Sequence, residues 1–371
     1  MTGTVLAHAG DPTPGSPFAA PCYRIPALAV TASGRVLAVW DVRADWRDLP
    51  GPFDLVVRHS DDHGRTWTPP RFLRAHDGGR GFGDASLLVT ASGRVLCWYV
   101  GSTGASFFSA RPDAPGLELW LAASDDDGLT WTHRDLSALR PAGVAGMFAS
   151  SGNGVRLAGG GRAGRLLQPF VLRRPTGEDD GLTHATDAAE HWAAVARSDD
   201  DGATWTLGEW VGPDCDESKV VETASGVLLH ARARPRRRWA TSADGGVTFT
   251  PPVPHPTLVD PACNGGLTRW GDVLVCSLLD DERERRRLVL RTSADEGRTW
   301  SPAVVVDAGA AAYSVLAPLA DGTLGLLYEA GDYDALIFRR ITRADLGLEG
   351  GGPALVPRAG AGAARPPEVA P

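Results

Sequence analysis

The chain has 371 residues, of which 43% are hydrophobic and 22% charged, the ordinary balance of a globular protein. Its formal net charge of -8 argues against nucleic acid as a partner, and no run approaches the roughly 18 apolar residues that a membrane-spanning helix requires. The five cysteines lack Cys-x-x-Cys spacing, which argues against a zinc site or a disulfide framework. The first residues lack the basic and apolar segments of a secretory signal, so the sequence predicts a cytoplasmic location.

The predicted elements are short β-strands separated by turns. The chain contains 45 glycines and 28 prolines, and long apolar stretches with a 3.6-residue period are hard to find. Instead, apolar runs such as Gly-Arg-Val-Leu-Ala-Val-Trp at residues 34–40 are bounded by Gly, Asp, Ser or Pro. This pattern predicts an all-β fold, either a sandwich, a barrel or a propeller. One basic cluster, at residues 234–238, is interpreted as a solvated loop.

A short motif with the pattern Ser-x-Asp-x-Gly-x-Thr-Trp occurs five times along the chain. The copies occupy residues 60–67, 124–131, 198–205, 242–249 and 293–300, and the fourth has Phe249 at the aromatic position. The Asp side chain can accept hydrogen bonds from N–H groups inside a turn, and Gly supplies a positive φ where the chain reverses. The aromatic ring can pack beneath the turn. We therefore predict that the motif is a structural hairpin turn whose Asp residues are not catalytic.

These repeats resemble the Asp-boxes, or bacterial neuraminidase repeats, of sialidases and related propellers. Successive copies start 64, 74, 44 and 51 residues apart, which fits one box per four-stranded blade with insertions. Six blades over residues 1–346 leave roughly 58 residues each, whereas seven or eight would leave roughly 49 or 43. The resemblance therefore implies an all-β, six-bladed β-propeller of four-stranded antiparallel blades at residues 1–346. Residues 347–371, rich in Gly, Ala and Pro, are predicted to be a disordered tail.

Because propellers without enzymatic activity also carry Asp-boxes, evidence for catalysis must come from other residues. The anomeric carbon of sialic acid carries a carboxylate, which three arginines suit because guanidinium groups bind carboxylates bidentately and stay charged. The same carboxylate repels an anionic nucleophile, and a tyrosine hydroxyl activated by a glutamate avoids that repulsion. A further carboxylic acid must protonate the leaving oxygen.

The first motif of this kind is Tyr-Arg-Ile-Pro at residues 23–26. It resembles the Phe/Tyr-Arg-Ile-Pro signature of sialidases, which implies that Arg24 is the first arginine of the triad. The loop after Arg43 carries Asp48 shortly before Pro-Gly-Pro, the place of the acid/base in the family, and Asp45 is the competing choice. The same resemblance implies that Arg43 lies at the pocket wall, near the 4-hydroxyl side of the sugar.

Further along, Gly-Asp-Ala-Ser at residues 83–86 resembles the Asp-Pro-Ser strand of the family, which implies that Asp84 binds substrate, although Ala85 replaces the usual Pro. A turn or capping role for this Asp is the alternative. The segment at residues 149–169 also resembles the family pattern, but the resemblance assigns it no role.

The middle of the chain supplies a glutamate and a second arginine. Asp-Glu-Ser-Lys-Val-Val-Glu at residues 216–222, with the strand ending in His-Ala-Arg, resembles the Glu-x-x-x-x-Glu and Asn-x-Arg stretch of sialidases. The match implies that Glu217 is the base that activates the nucleophile, with Glu222 as the alternative, and that Arg232 is the second arginine of the triad. His230 departs from the usual Asn.

The last part of the chain supplies the third arginine and the nucleophile. Spacing from the last Asp-box favours Arg285, although three other arginines lie beside it at positions 283, 286 and 287. Tyr-Ser-Val-Leu at residues 313–316, followed by Gly-Leu-Leu-Tyr-Glu, is similar to the family segment that carries the nucleophile, so Tyr313 is implied to have this role. Tyr328 is interpreted as a buried strand tyrosine.

Together these resemblances imply an exo-α-sialidase that hydrolyses terminal sialic acid from glycoconjugates with retention, through a tyrosyl-enzyme intermediate. No metal or organic cofactor is implied, the expected partner is a sialylated glycan or a free sialoside, and the oligomeric state stays open. One alternative is a propeller glycosidase for a related 2-keto acid sugar, such as a deaminated nonulosonic or an octulosonic acid. The other is a carbohydrate-binding propeller without catalysis.

Overall fold

The computed structural model describes residues 3–175 and 189–348 and is almost entirely β-structure. The first strand, β1 (Gly3–His8), belongs to the last sheet. One four-stranded antiparallel sheet consists of β2 (Cys22–Val30), β3 (Val36–Arg43), β4 (Asp54–Ser60) and β5 (Arg71–Arg74). The next consists of β6 (Gly81–Val89), β7 (Val95–Ser102), β8 (Glu118–Ser124) and β9 (Thr132–Asp135).

Two further sheets follow in chain order. One consists of β10 (Gly146–Ala149), β13 (Leu166–Pro175), β14 (Ala189–Ser198) and β15 (Thr206–Val211), and the short β12 (Val155–Arg156) also pairs with β13. The short β11 (Gly152–Asn153) lies parallel to β6. The other consists of β16 (Ser218–Thr223), β17 (Gly226–Ala231), β18 (Arg236–Ser242) and β19 (Val253–Val259). Short 3-10 turns lie at Ser137–Leu139, Gly160–Arg162 and Ala344–Leu346.

The fifth sheet has seven strands and includes both ends of the described chain. Its strands are β20 (Gly266–Trp270), β21 (Val273–Leu279), β22 (Arg286–Ser293), β23 (Val304–Pro318), β24 (Leu324–Ala330), β25 (Ala335–Ile341) and finally β1. The first half of the 15-residue β23 pairs with β22, and its second half pairs with β24. Counting six blades therefore depends on dividing this sheet at β23. The predicted all-β propeller architecture is confirmed.

The strand registers place the two ends of each sheet at opposite sides of the molecule. In the first sheet Cys22 lies opposite Arg43 at one end, and Val36 lies opposite Ser60 at the other end. The first strand of this sheet, β2, packs against β6 and β23 of the neighbouring sheets and is the innermost strand. Its start and the turn between the second and third strands therefore share one end. The turn between the third and fourth strands, which carries the repeated motif, lies at the other end.

The repeated motif forms the predicted hairpin turn. In the first copy Asp62 accepts hydrogen bonds from the Thr66 backbone N–H and the Thr66 hydroxyl at 2.8 and 2.6 Å. The Ser60 hydroxyl donates to Asp62 at 2.7 Å and accepts from the Gly64 N–H at 2.7 Å. The Asp–Thr and Ser–Gly contacts recur in the other four copies, where the motif aspartates are Asp126, Asp200, Asp244 and Asp295.

The turns also pack against the preceding sheet. Trp67 of the first copy contacts Phe338 of β25, with ring centroids 5.0 Å apart. Gly64 has φ of 83°, and a Cβ at this position would lie 2.1 Å from the Phe338 ring. Glycine is therefore required here both by the backbone conformation and by the close approach of the neighbouring sheet.

Apolar side chains fill the space between neighbouring sheets. Trp98 of β7 lies at the centre of one such cluster, with its ring 5.1 Å from Phe170 of β13 and 5.1 Å from Trp205 of the third motif copy. Within residues 3–175 and 189–348 no helix has the length and apolar character needed to cross a membrane. Most of the predicted tail, residues 349–371, lies outside the described residues, so its boundary stays a prediction.

Candidate active site

A cavity of about 240 Å³ opens at the end of the sheets opposite the repeated motifs. Its wall combines guanidinium groups, carboxylates and aromatic rings. Seven of the eight predicted site residues line it: Arg24, Asp48, Asp84, Glu217, Arg232, Arg285 and Tyr313. The antiparallel topology explains this convergence, because the starts of innermost strands and the turns between second and third strands meet at this end.

Irregularities in the innermost strands direct three of these residues. The pairing register shifts between Arg24 and Ala27 in β2, between Gly83 and Ser86 in β6, and between Ala311 and Ser314 in β23. A bulge of this kind interrupts the strict alternation of side chains and re-aims the residues within it. Arg24, Asp84 and Tyr313 all lie within such irregularities, which brings their side chains to one cavity.

Tyr313 and Glu217 form the closest polar pair in the cavity. The Tyr313 hydroxyl donates to Glu217 Oε2 at 2.5 Å, and Arg232 Nη1 donates to the same carboxylate oxygen at 2.6 Å and to the Tyr313 hydroxyl at 2.8 Å. Ser151 Oγ and Asn264 Nδ2 donate to the other carboxylate oxygen at 2.8 and 3.0 Å. Four donors therefore fix the orientation of the Glu217 carboxylate.

Burial raises the pKa of the Tyr313 hydroxyl well above its ordinary value, and the nearby Glu217 adds to this effect, while Arg232 and Arg285 oppose it. The hydroxyl is thus protonated at neutral pH. An adjacent proton acceptor is needed before this oxygen can attack a substrate. Glu217, which already accepts the hydroxyl proton in a hydrogen bond, meets this requirement.

Three guanidinium groups surround the Tyr313 ring. The Cζ atoms of Arg24, Arg232 and Arg285 lie 5.6, 5.9 and 5.6 Å from its centroid. Arg24 donates through Nε to Glu329 Oε1 at 3.3 Å, and Arg285 donates through Nη1 to the Tyr333 hydroxyl at 3.1 Å. Three positive charges therefore lie around the Tyr313 ring, and Arg232 also contacts its hydroxyl. Guanidinium groups grouped in this way can bind a carboxylate.

Asp48 lies on the turn between β3 and β4, and its side chain is 58% exposed. Arg43 Nη1 donates to Asp48 Oδ1 at 2.9 Å, and Arg24 Nη1 lies 3.4 Å from the same oxygen. Partial burial acts to raise the pKa of this carboxyl, but the two guanidinium charges outweigh it and hold the pKa below its ordinary value. Asp48 is therefore ionised in the empty site at neutral pH.

Arg43 corrects one sequence prediction. It was expected at the pocket wall, but its side chain is only 1% exposed and lies behind Asp48 rather than on the cavity surface. Its Nη2 donates to Asp41 at 2.7 Å, and its guanidinium lies 4.4 Å from the Phe53 ring centroid. These contacts bury the guanidinium, so Arg43 supports Asp48 from behind.

Asp84 reaches the cavity from the bulge in β6. Its φ is 59°, and its backbone N–H donates to the buried Asp41 at 3.2 Å. Burial raises the pKa of the Asp84 carboxyl well above its ordinary value, and the neighbouring carboxylates Asp41 and Asp48 add to this effect. A protonated Asp84 can donate a hydrogen bond to a substrate hydroxyl, which an ionised one cannot.

The competing choices from the sequence lie away from the cavity. Asp45 pairs with Arg47, with Arg47 Nη1 3.4 Å from Asp45 Oδ2. Glu222 accepts backbone N–H groups at positions 158 and 159. Of the other arginines near Arg285, those at 286 and 287 pair with Asp281 and Asp280, and the one at 283 is exposed. Tyr328 is fully buried, as predicted.

Several residues of the site were not identified from the sequence. Glu329 is fully buried and accepts hydrogen bonds from the Ile25 and Tyr313 backbone N–H groups at 2.8 and 3.0 Å. It ends the Gly-Leu-Leu-Tyr-Glu segment, whose sequence does not indicate this role. Asp216 lines the cavity beside Arg232, and Asn264 lies in a turn without a motif that would have identified it.

Lys219 is buried directly behind this site. Its side chain is 1% exposed, and its amino group donates to the backbone carbonyl of Ser151, the residue whose hydroxyl holds Glu217. Burial lowers the pKa of Lys219 to about 7, although the nearby Glu217 opposes this effect. The amino group thus has a pKa near neutrality and is linked to Glu217 through Ser151.

Within the described residues no group of three or more His, Cys, Asp and Glu side chains has the arrangement of a metal site. The positively charged side chains that line the cavity are Arg24, Arg232 and Arg285.

Residues 23–210 and 162–326 match the family of the BNR repeat-like domain. A sialidase of Micromonospora viridifaciens is 37% identical over 337 residues, which cover 84% of this chain and 50% of that protein. A sialidase of Bacteroides fragilis (strain YCH46) is 28% identical over 359 residues, which cover 88% of this chain and 62% of that protein. The chain thus spans only about half to three-fifths of the length of these relatives.

Solved structures show the same similarity. A Hadza microbial sialidase superimposes with a TM-score of 0.77 at 27% identity, covering 88% of this chain and 66% of that one. A leech intramolecular trans-sialidase superimposes with a TM-score of 0.79 at 17% identity over 92% of this chain and 71% of that one, which shows a shared fold. The chain therefore belongs to the BNR repeat-like domain family, and the relatives named here are sialidases.

Proposed function

We propose that the protein is a retaining exo-α-sialidase that releases terminal sialic acid from sialylated glycans. The observation that carries this proposal is the convergence of three guanidinium groups on Tyr313, whose hydroxyl donates to Glu217 at 2.5 Å. A fixed triple positive charge beside a neutral nucleophile suits a substrate whose reacting carbon carries a carboxylate. The named relatives, all sialidases, support the same substrate class.

Substrate binding begins at the arginines. Arg24, Arg232 and Arg285 hold the carboxylate of the sugar, which places the anomeric carbon against the Tyr313 hydroxyl. Arg232 also donates to Glu217 and to Tyr313, so it links carboxylate binding to the orientation of the nucleophile. Geometry fixed in advance in this way lowers the entropic part of the barrier.

The covalent step uses Tyr313, Glu217 and Asp48. The Tyr313 oxygen attacks the anomeric carbon while its proton moves to Glu217, and the bond from the anomeric carbon to the leaving oxygen breaks. Asp48 gives that oxygen a proton. Water then attacks the tyrosyl-sugar bond with Asp48 as base, and Glu217 returns its proton to the tyrosine oxygen. Two displacements at one carbon give retention.

Asp48 must be protonated to act as the acid, yet Arg43 and Arg24 favour its ionised form in the empty site. Binding of the substrate weakens this preference for the ionised form. The sugar carboxylate brings a negative charge to Arg24, and the sugar excludes water from Asp48. Both changes raise the pKa of the Asp48 carboxyl, so Asp48 becomes protonated when substrate occupies the cavity.

The test compares wild type with Tyr313→Phe on the 4-methylumbelliferyl α-glycoside of N-acetylneuraminic acid. We expect turnover by wild type and a loss of at least a hundredfold in kcat for the variant, because the phenyl ring keeps the packing but removes the nucleophilic oxygen. Proton NMR of the first product formed from wild type should show the α-anomer of free sialic acid.

Three other outcomes would each point elsewhere. If the folded wild type releases nothing from this substrate but cleaves the glycoside of a deaminated nonulosonic or an octulosonic acid, the related-sugar glycosidase is correct. Binding of sialosides without turnover of any of them would favour a carbohydrate-binding propeller. Equal turnover by wild type and Tyr313→Phe would refute the assignment of the nucleophile.

A further inference from the structure

The turn between β3 and β4, at residues 44–53, carries a tryptophan that the proposed reaction does not use. Trp46 is 63% exposed, the largest exposed fraction of any large hydrophobic side chain in the described chain. It also lines the cavity. An exposed indole that is part of the wall of a cavity is available to contact a ligand bound there.

The exposure of Trp46 does not result from a loose turn. Leu49 and Phe53 are only 6% and 4% exposed and anchor the turn in the core. Arg43 Nη1 donates to the backbone carbonyl of Arg47 at 3.0 Å, and Arg24 Nη1 donates to the carbonyl of Trp46 at 3.4 Å. The backbone of the turn is thus held from both sides, while the indole remains in solvent.

The position of Trp46 relates it to the leaving group rather than to sialic acid. The sialic acid carboxylate is expected at the three guanidinium groups around Tyr313, deep in the cavity. Asp48 must reach the oxygen between sialic acid and the leaving group. Because Trp46 precedes Asp48 by two residues on the same turn and is exposed at the rim, the indole lies next to whatever is attached to that oxygen.

The chemistry of this rim suits a sugar ring. An indole face offers a broad, rigid apolar surface against which the C–H face of a pyranose can pack with little loss of side-chain entropy. The side chains of Asp45 and Arg47, which flank Trp46, are 49% and 76% exposed and offer an acceptor and donors for sugar hydroxyls. A small alcohol as leaving group would leave this surface empty.

We propose that Trp46 forms a subsite for a pyranose leaving group, so that this protein favours sialylated oligosaccharides over sialosides of small alcohols. The inference rests on the proposed sialidase function and adds the class of leaving group to it. Trp46 is a specificity residue in this role, because it touches the departing sugar but takes no part in bond breaking.

The test compares two substrates with sugar or methyl alkoxide leaving groups, 3′-sialyllactose and the methyl α-glycoside of N-acetylneuraminic acid. The quantity measured is the ratio of kcat/KM for sialyllactose to kcat/KM for the methyl glycoside. We expect Trp46→Ala to lower this ratio about tenfold or more, and Trp46→Phe, which keeps an aromatic face, to retain most of it. Phe72→Ala is the control, because Phe72 is 37% exposed but does not line the cavity.

Two outcomes would overturn the proposal. An unchanged ratio in Trp46→Ala would show that the indole does not contact the leaving sugar. A parallel fall with both substrates would show that Trp46 only positions the turn and Asp48. Failure of the proposed function is seen separately, because wild type would then cleave neither substrate.

Discussion

Lys219 gives the most specific physical prediction. It is the only lysine among the 37 lysine and arginine residues of the chain, and it is 1% exposed. Burial lowers its pKa from 10.5 to about 7. The prediction concerns the change Lys219→Met, which keeps the length of the side chain and removes its charge. Ser151 O keeps a partner in the variant, because Asn264 Nδ2 also donates to it at 3.0 Å.

The magnitude follows from proton linkage. Each pH unit between the pKa values of the unfolded and folded states corresponds to 1.36 kcal/mol, so a protonated Lys219 costs the folded state about 5 kcal/mol relative to an exposed lysine. Below pH 7 Lys219 is protonated in both the folded and the unfolded state, so the folded state is destabilised by the full amount. Between pH 7 and 10.5 the unfolded state holds one proton more, so the free energy of unfolding of wild type rises with pH.

The assay is denaturant unfolding of wild type and Lys219→Met at pH 6 and pH 9. We expect the variant to be more stable at pH 6, and its advantage to shrink by about 3 kcal/mol at pH 9. Lys219→Arg is the matched control. Arginine stays charged at both pH values, so this variant should be destabilised and should show no such pH dependence relative to the methionine variant.

A direct measurement is possible because the chain has a single lysine. Protein labelled with ¹³C-lysine should give one Cε resonance, whose shift titrates near pH 7 in the folded state and near 10.5 after denaturation. A folded-state midpoint at pH 10 or above would refute the reasoning, since it would mean that water reaches the amino group. Parallel pH dependences of wild type and Lys219→Met would refute it independently.

Two further predictions concern the acid and the repeated turns. Because Arg43 and Arg24 outweigh burial and lower the pKa of Asp48 in the empty site, kcat/KM should fall with rising pH from a more acidic point than kcat, and pH–rate profiles whose alkaline limbs coincide would contradict this. Gly128→Ala should destabilise the fold by about 1–3 kcal/mol, because Gly128 has φ of 81° and a Cβ would lie 2.8 Å from Leu37 Cδ1. Thermal unfolding measures the effect, and Gly104→Ala, which meets no neighbouring atom within 4 Å, is the control that should change little.

The sequence was most informative where one short segment contains both a functional side chain and the strand residues that position it. Arg24 lies near the start of β2 and Tyr313 near the start of the second half of β23, each within a motif whose neighbours are apolar strand residues. The resemblance of these motifs to those of sialidases identified both residues, and the repeated turns indicated the propeller fold. Asp48 and Arg285 lie on turns between second and third strands, and they reach the same cavity.

Contacts between distant segments could not be predicted in this way. The resemblance to sialidases implied that Arg43 lies at the pocket wall, but its position depends on Asp41 and on the Phe53 ring. Neither contact can be predicted from the local sequence, because both form only after β3 and the following turn have folded together. Asn264 is a similar case, since it holds Glu217 from 47 residues away and has no local signal.

Two buried carboxylates support the cavity in the same way. Glu329 accepts the backbone N–H of Ile25 and the side chain of Arg24, and Asp41 accepts the backbone N–H of Asp84 and the side chain of Arg43. Ile25 and Asp84 both have φ of 59°, a conformation that is unfavourable for residues other than glycine.

In each case one buried carboxylate therefore stabilises a strained bulge and orients an arginine at the same time. The part of the cavity that Arg24 and Asp84 line is fixed by contacts to β3 and β24, so changing it would disturb the sheets. Asp48 and Trp46 lie on the turn between β3 and β4, where Asp48 is paired with Arg43 but the side chains of both residues are largely exposed. The leaving-group side can therefore differ from one propeller to another without altering Tyr313 and Glu217, which makes this turn the expected place for substrate preference to be set.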